Sequence, residues 1–192
     1  MNKTKYPLLF FAILLFGCNK ASQTSSVFEK DLWMIDSQGV GIIQLGDPIQ
    51  ETRSKVIEDF DVLTSLNGGF DMIGNDDVLV KVSPIAGRVG VIEIYTDKFE
   101  TASGVKIGMT IEEIETIHND FLAQMDEMNG RVYFSPQELQ SSNSVFCIHF
   151  KTEDDSPVWN FEKRAEKKHF TYAPTGELNK KAIVEVIRIY KK

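Results

Sequence analysis

Cysteine is scarce in this chain of 192 residues: there are two, Cys18 and Cys147. If Cys18 is used elsewhere, Cys147 has no partner for an internal disulfide, so the fold must hold without a covalent staple. At this length a hydrophobic core suffices, because about 70% of the unfolded surface can be buried. Histidine is equally thin, with His118, His149 and His169 far apart and none at a metal-ligand spacing. No Gly-x-Ser-x-Gly, P-loop or dinucleotide fingerprint occurs. Positive charge is also short, with 21 Lys and Arg against 28 Asp and Glu, a formal net of -7. Such an acidic chain lacks the basic face that phosphate contact needs, so nucleic acid is not an expected partner. No catalytic residue, metal site or cofactor is expected from these patterns.

The charge that is present is unevenly placed. Trp159 to Lys192 carries nine basic and four acidic residues, a net of +5, while Asn19 to Val158 carries ten against 24, a net of -14. The plain reading is charge pairing within the fold, and the sharper one is an interaction surface. Cys147 lies in the apolar run Val145–Phe150 with His149 two residues on, hence on the same strand face. A buried structural thiol is the expected role. A Cys147–His149 enzyme is the weakest of the functional readings, since nothing nearby activates a thiolate.

The N-terminus has the layout of a cleaved leader. Lys3 and Lys5 precede the nine-residue apolar run Leu8–Phe16, which is too short to span a bilayer as a helix of about 20 residues. Residues Leu15-Phe16-Gly17-Cys18 resemble a lipobox, the signature of bacterial lipoproteins, with Phe16 bulkier than usual at its position. That resemblance implies cleavage after residue 17, a diacylglycerol thioether on Cys18 and an acylated (palmitate-type) N-terminus, which together anchor stably. Asn19 follows instead of Asp, which by the lipoprotein resemblance implies, in a Gram-negative cell, an outer-membrane destination facing the periplasm. Loss of Lys3 and Lys5 leaves a net charge of -9. Residues 18–37 then comprise the lipidated cysteine and a tether, whose polar stretch Lys20–Ser26 has no pattern.

Two later stretches echo each other. Gly46-Asp47-Pro48 and Gly108-Met109-Thr110 each precede a helical pattern. The first runs from Ile49 to Phe60, and the second has Ile111, Ile114, Ile117 and Phe121 as its buried stripe. Thr110 is placed to cap the second helix. Strand signals follow each helix and end in Val91-Ile-Glu-Ile-Tyr95 and Val186-Ile-Arg-Ile-Tyr190. The expected fold is therefore α+β, two tandem helix-plus-antiparallel-sheet repeats over 38–100 and 101–192. The distance from glycine to the closing strand is 45 residues in the first and 78 in the second. The excess of 33 falls mainly in Lys151–Lys181, which reads as an insertion with a surface helix from Trp159 to His169.

At Gly46 and Gly108 the chain resembles bacterial lipoproteins built from β-lactamase-inhibitor-protein-like repeats, a group that includes small outer-membrane assembly lipoproteins. Gly108-Met-Thr-Ile-Glu-Glu-Ile114 is the better match and Gly46–Thr52 the weaker. The likeness spans Val40–Tyr190 with Lys151–Lys181 outside it, and it implies a fold, not an activity. The expected function is a membrane-anchored, non-enzymatic module that binds an unidentified envelope protein. Trp159, Phe161, Arg164, Phe170, Tyr172, Tyr95 and Tyr190 are its candidate contacts, since these residue types dominate hot spots. The alternative is a periplasmic inhibitor or immunity protein whose acidic surface meets a basic hydrolase.

Overall fold

The computed structural model describes residues 33–119, 121–125, 131–154, 156–159 and 172–192. Three two-residue strands come first, β1 (Met34–Ile35), β2 (Gly39–Val40) and β3 (Ile43–Gln44). A turn at Gly46 leads into α1 (Ile49–Val56), followed by the strands β4 (Asp61–Thr64), β5 (Phe70–Gly74), β6 (Asp77–Ile85) and β7 (Arg88–Ile94). Strand β8 (Glu100–Thr101) returns to pair in parallel with β1. A turn at Gly108 then opens α2 (Ile111–Ile117), and β9 (Leu122–Met125), β10 (Val132–Phe134), β11 (Ser144–Lys151), β12 (Tyr172–Pro174) and β13 (Ile183–Lys191) complete the chain. A small sheet has the order β3-β2-β1-β8, and one nine-stranded sheet runs β12-β9-β10-β11-β13-β7-β6-β5-β4.

This corrects the α+β expectation of two helix-plus-sheet repeats. Of the described residues 45% lie in strands and 16% in helical turns, and the main sheet is continuous and antiparallel throughout. The protein is mostly β. The reason is the brevity of the helices. At eight and seven residues they are too short to be stable alone, and they persist only by packing an apolar face on the sheet. The first stops at Val56, not Phe60, as the chain tightens into turns through Glu58 N–H to Lys55 O and Asp59 N–H to Val56 O. The second stops at Ile117, so Phe121 belongs to the approach to β9 and not to a helical stripe.

Both glycine turns have positive φ, +87° at Gly46 and +86° at Gly108, a region open to glycine at little cost. Each turn is stitched to the main sheet by two backbone bonds. Gly46 N–H donates to Val89 O and Val89 N–H to Asp47 O, both at 2.8 Å. Gly108 N–H donates to Val184 O at 2.9 Å and Val184 N–H to Met109 O at 2.8 Å. Thr110 caps α2 as its sequence position suggests. Its Oγ1 accepts from Glu113 N–H at 3.1 Å and the Glu113 carboxylate accepts from Thr110 N–H at 2.7 Å, a reciprocal capping box.

Strand alternation sends one set of side chains into the core in continuous rows. Phe70, Val82, Ile92, Ile189 and Phe146 stand directly across from one another on successive strands, and so do Met72, Val80, Ile94, Ile187, Ile148 and Phe134. All eleven are buried. Such cross-strand pairs are the unit of sheet stability. Ile49, Val56, Ile111 and Ile114 from the helices, and Trp33, Ile35, Val40 and Phe99 from around the small sheet, join the same core. Trp33 stacks on Phe99 at 5.1 Å and meets Phe60 edge-on at 5.0 Å.

The stretch Lys151–Lys181, expected as an inserted loop, is partly built into the fold. Tyr172, Ala173 and Pro174 pair with Gln124, Ala123 and Leu122, so β12 forms one edge of the main sheet. Trp159 bridges to Leu178 and is 2% exposed, a core residue. The helix expected from Trp159 to His169 falls almost wholly outside the described residues.

Candidate functional site

The other face of the main sheet carries the residues of chemical interest. Because alternate residues point to opposite faces, the positions between the core rows form rows of their own. Asp71 on β5 stands across from Lys81 on β6, Lys81 from Glu93 on β7, Glu93 from Arg188 on β13, and Arg188 from Cys147 on β11. Four strands thus present alternating charges, ending at a thiol. Arg188 Nε lies 3.4 Å from Glu93 Oε1, an ion pair without the alignment of a hydrogen bond.

Tyrosines flank this ladder. The Lys81 ammonium lies 5.2 Å from the ring centre of Tyr95, and the Arg188 guanidinium 5.8 Å from that of Tyr190, both within cation–π range. Burial pushes the Tyr95 hydroxyl up to about 12, with the nearby Glu93 carboxylate adding to it. Tyr190 is raised as well, first by burial and then by Cys147 beside it. Farther along, Val186, His149, Tyr133, Gln124 and Tyr172 form a second row across β13, β11, β10, β9 and β12. Tyr133 donates its hydroxyl to Gln124 Oε1 at 2.9 Å, and its ring lies 5.5 Å from that of His149.

The site residues expected from sequence divide three ways. Tyr95 and Tyr190 share this face on either side of the Glu93–Arg188 pair, and Tyr172 sits exposed at its β12 edge. Trp159 is in the core, which corrects its place among surface contacts: a side chain with 2% exposure packs and does not dock. Cys18, Phe161, Arg164 and Phe170 lie outside the described residues. Sequence reasoning missed Lys81, Glu93 and Arg188. The signal was present in the echo of Val91–Tyr95 by Val186–Tyr190, which puts a glutamate in one copy where the other has an arginine.

Cys147 and His149 share the face, as their spacing requires, and both are buried, at 2% and 6% exposure. The Cys147 Sγ contacts Ser135 Oγ at 3.3 Å. Burial pushes its thiol up, and the hydrogen bonds with Ser135 and Tyr190 and the charge of Arg188 offset this only in part. A nucleophilic cysteine needs the opposite shift and an open approach. Among the described residues no group of His, Cys, Asp and Glu is arranged to hold a metal ion. The Asn75-Asp76 pair has positive φ at both positions, the signature of a tight hairpin turn joining β5 to β6.

No family model and no curated protein matches this sequence. Among solved structures, the chain is similar to the crystal structure of the uncharacterized protein yfeY from Escherichia coli. The match has a TM-score of 0.56 at 18% identity and covers 83% of this chain and 99% of that one. At that identity the likeness concerns the fold alone.

Proposed function

We propose that this protein is a lipid-anchored periplasmic lipoprotein that acts as a non-enzymatic binding or envelope-assembly accessory module, with the part of the sheet face that carries Lys81, Glu93, Tyr95, Arg188 and Tyr190 as its docking surface. The observation that carries the reading is the pairing of half-buried Tyr95 and Tyr190 with Lys81 and Arg188 around a registered charge ladder. Tyrosine and arginine held rigidly on strands contribute large contact area at low entropic cost, the composition of interface hot spots. The anchor rests on the lipobox-like Leu15–Cys18, a resemblance that would make the membrane a partner through lipid on Cys18. Among the described residues no helix is long and apolar enough to cross a membrane.

The direct test is crosslinking and affinity capture from envelope extract with the lipidated protein, its Tyr95→Ala/Tyr190→Ala variant and a variant lacking 160–171. Loss of a partner with the tyrosine variant, whose fold is checked by its thermal transition, supports the sheet face. Loss only with the deletion moves the contact to the Phe161–Phe170 stretch. Retention by both removes the docking surface proposed here. Metabolic labelling with palmitate tests the anchor, with Cys18→Ala expected to abolish incorporation. The acidic stretch Asn19–Val158 favours one other reading, an inhibitor or immunity protein for a basic hydrolase, for which binding would weaken steeply with salt.

A further inference from the structure

The main sheet has two edges, and they are built differently. At one edge β12 is three residues long and ends in Pro174, which has no N–H to donate. At the other, β4 carries no Pro, Lys or Arg in Asp61-Val-Leu-Thr64, and among the described residues it pairs with β5 alone. Natural sheets commonly blunt an edge with those residues, because its unpaired N–H and C=O groups invite another strand. The register shows which groups point outward. Ser65 N–H donates to Gly69 O at 3.0 Å, and the pairs run back from there as Thr64 with Phe70, Leu63 with Asp71, Val62 with Met72 and Asp61 with Ile73. Hydrogen-bonded and non-hydrogen-bonded pairs alternate, so Asp61 and Leu63 direct their backbone groups to β5, while Val62 and Thr64 aim theirs away from the sheet. Leu63 stands beside Asp71 on the charge-ladder face and is 63% exposed, and Leu66 in the turn that follows is fully exposed.

We infer that this edge pairs with β4 of a second copy of the chain, antiparallel and centred on Leu63. In that register Val62 exchanges both backbone bonds with Thr64 of the second copy, and the two-fold axis repeats the exchange on the other side of Leu63. This is the self-complementarity an isologous interface requires. Leu63 lies directly across from Leu63 of the second copy, which covers two otherwise exposed apolar side chains. Asp61 falls opposite Ser65 of the second copy, so the one carboxylate of the strand meets a hydroxyl and not its own double. Centring on Val62 or on Thr64 would also satisfy the outward groups, but it would set Leu63 against Asp61 or against Ser65. Residues paired across strands share a face, so the two nine-stranded sheets join with both charge-ladder faces pointing the same way. One strand pair is small beside the ~1,200–2,000 Å² of stable interfaces, so association in solution is weak. Its strengthening on a shared membrane surface rests on the anchor proposed above; the pairing itself does not.

The test is disulfide trapping in the soluble Cys18→Ser protein with oxidised glutathione as the oxidant, because trapping reads weak pairing. The remaining Cys147 is buried. Leu63→Cys should cross-link to a symmetric dimer, since residues directly across in a non-hydrogen-bonded pair have Cα atoms about 4.5 Å apart, within disulfide reach. Asp61→Cys alone and Ser65→Cys alone should cross-link at least tenfold more slowly, yet a mixture of the two should join one to the other. Adding Thr64→Pro to Leu63→Cys removes an outward N–H without touching a bond to β5, and should slow trapping at least tenfold. The thermal transition verifies the fold of each variant, and maleimide labelling verifies that its new thiol is open. Equal rates at all three positions would show random collision, and no cross-link from open thiols would leave the edge unpaired. In envelope extract, a Leu63→Cys adduct to another chain in place of the dimer would give the edge to a foreign strand. Each of these results overturns the inference. Trapping of the soluble protein uses neither the lipid nor the tyrosines, so it fails or succeeds independently of the docking surface proposed above.

Discussion

Glu93 and Arg188 face each other across β7 and β13, two strands at the middle of the nine-stranded sheet, and come from segments 95 residues apart that share the frame Val-Ile-x-Ile-Tyr. The pair is only partly buried, with 22% and 40% side-chain exposure, so screening keeps its worth small, about 0.5 kcal/mol. Its place in the ladder makes it directional. Lys81 stands across from Glu93 on the far side, so an arginine at 93 would meet a like charge. The charge-swapped protein, Glu93→Arg/Arg188→Glu, should therefore stay less stable than the native one in urea denaturation. A double-mutant cycle on Glu93→Gln and Arg188→Gln should give a coupling near that half kilocalorie that shrinks in high salt. Full recovery by the swap would show that the ladder has no sense of direction.

Trp159 gives a larger effect of a different kind. With 2% exposure and a bridge to Leu178, it ties the Lys151–Lys181 stretch into the core. Trp159→Ala should cost about 3–5 kcal/mol, in line with other large-to-small changes at buried aromatics. Trp159→Phe should cost much less. The measurement is the denaturant midpoint at unchanged m-value. A loss below about 1 kcal/mol would contradict a packing role.

How far the sequence disclosed this depends on which residues are considered. Gly46 and Gly108 were legible because a positive-φ turn before a helix leaves a composition signal, and Thr110 because a cap needs a hydroxyl at a known offset. The strands around Ile92, Phe146 and Ile187 were legible from β-branched and aromatic residues in alternation. Strands β9 and β12 were not. Leu122-Ala-Gln-Met125 carries helix formers, and Tyr172-Ala-Pro174 ends in a residue that breaks most strands; both are held as strands by their partners. The helices read longer than they are, because the apolar spacing at Phe60 and Phe121 continues after the backbone has left the helix. The charge ladder required register, which pairs Asp71 with Arg188 through two intervening strands and cannot be read from a linear string.

Cys147 should behave as an inert thiol in the folded protein. Its pKa is raised, chiefly by burial, so the thiolate is scarcer at neutral pH than for an open cysteine. In a Cys18→Ser background it is the one cysteine left, and iodoacetamide should label it far more slowly than free cysteine at neutral pH. Labelling should reach the free rate once urea unfolds the chain. Fast labelling of the native protein would restore the case for a reactive Cys147–His149 pair.

Tyr95 predicts the alkaline limit of stability. Its hydroxyl titrates at about 12 in the folded protein against 10.0 for an ordinary tyrosine, because burial and the Glu93 carboxylate both oppose a phenolate. A raised folded-state value means that the unfolded chain releases this proton first. The contribution of Tyr95 is thus complete below pH 10 and is lost as pH rises towards about 12. Tyr190 is shifted the same way and adds to the slope. Melting temperature should therefore fall across that interval, and fall less steeply in Tyr95→Phe, which has no proton to lose. Tyrosinate absorbance followed on the same samples should show the late-titrating group missing from the variant. An identical decline in both proteins would place the alkaline sensitivity elsewhere and remove the raised tyrosine from the account of this face.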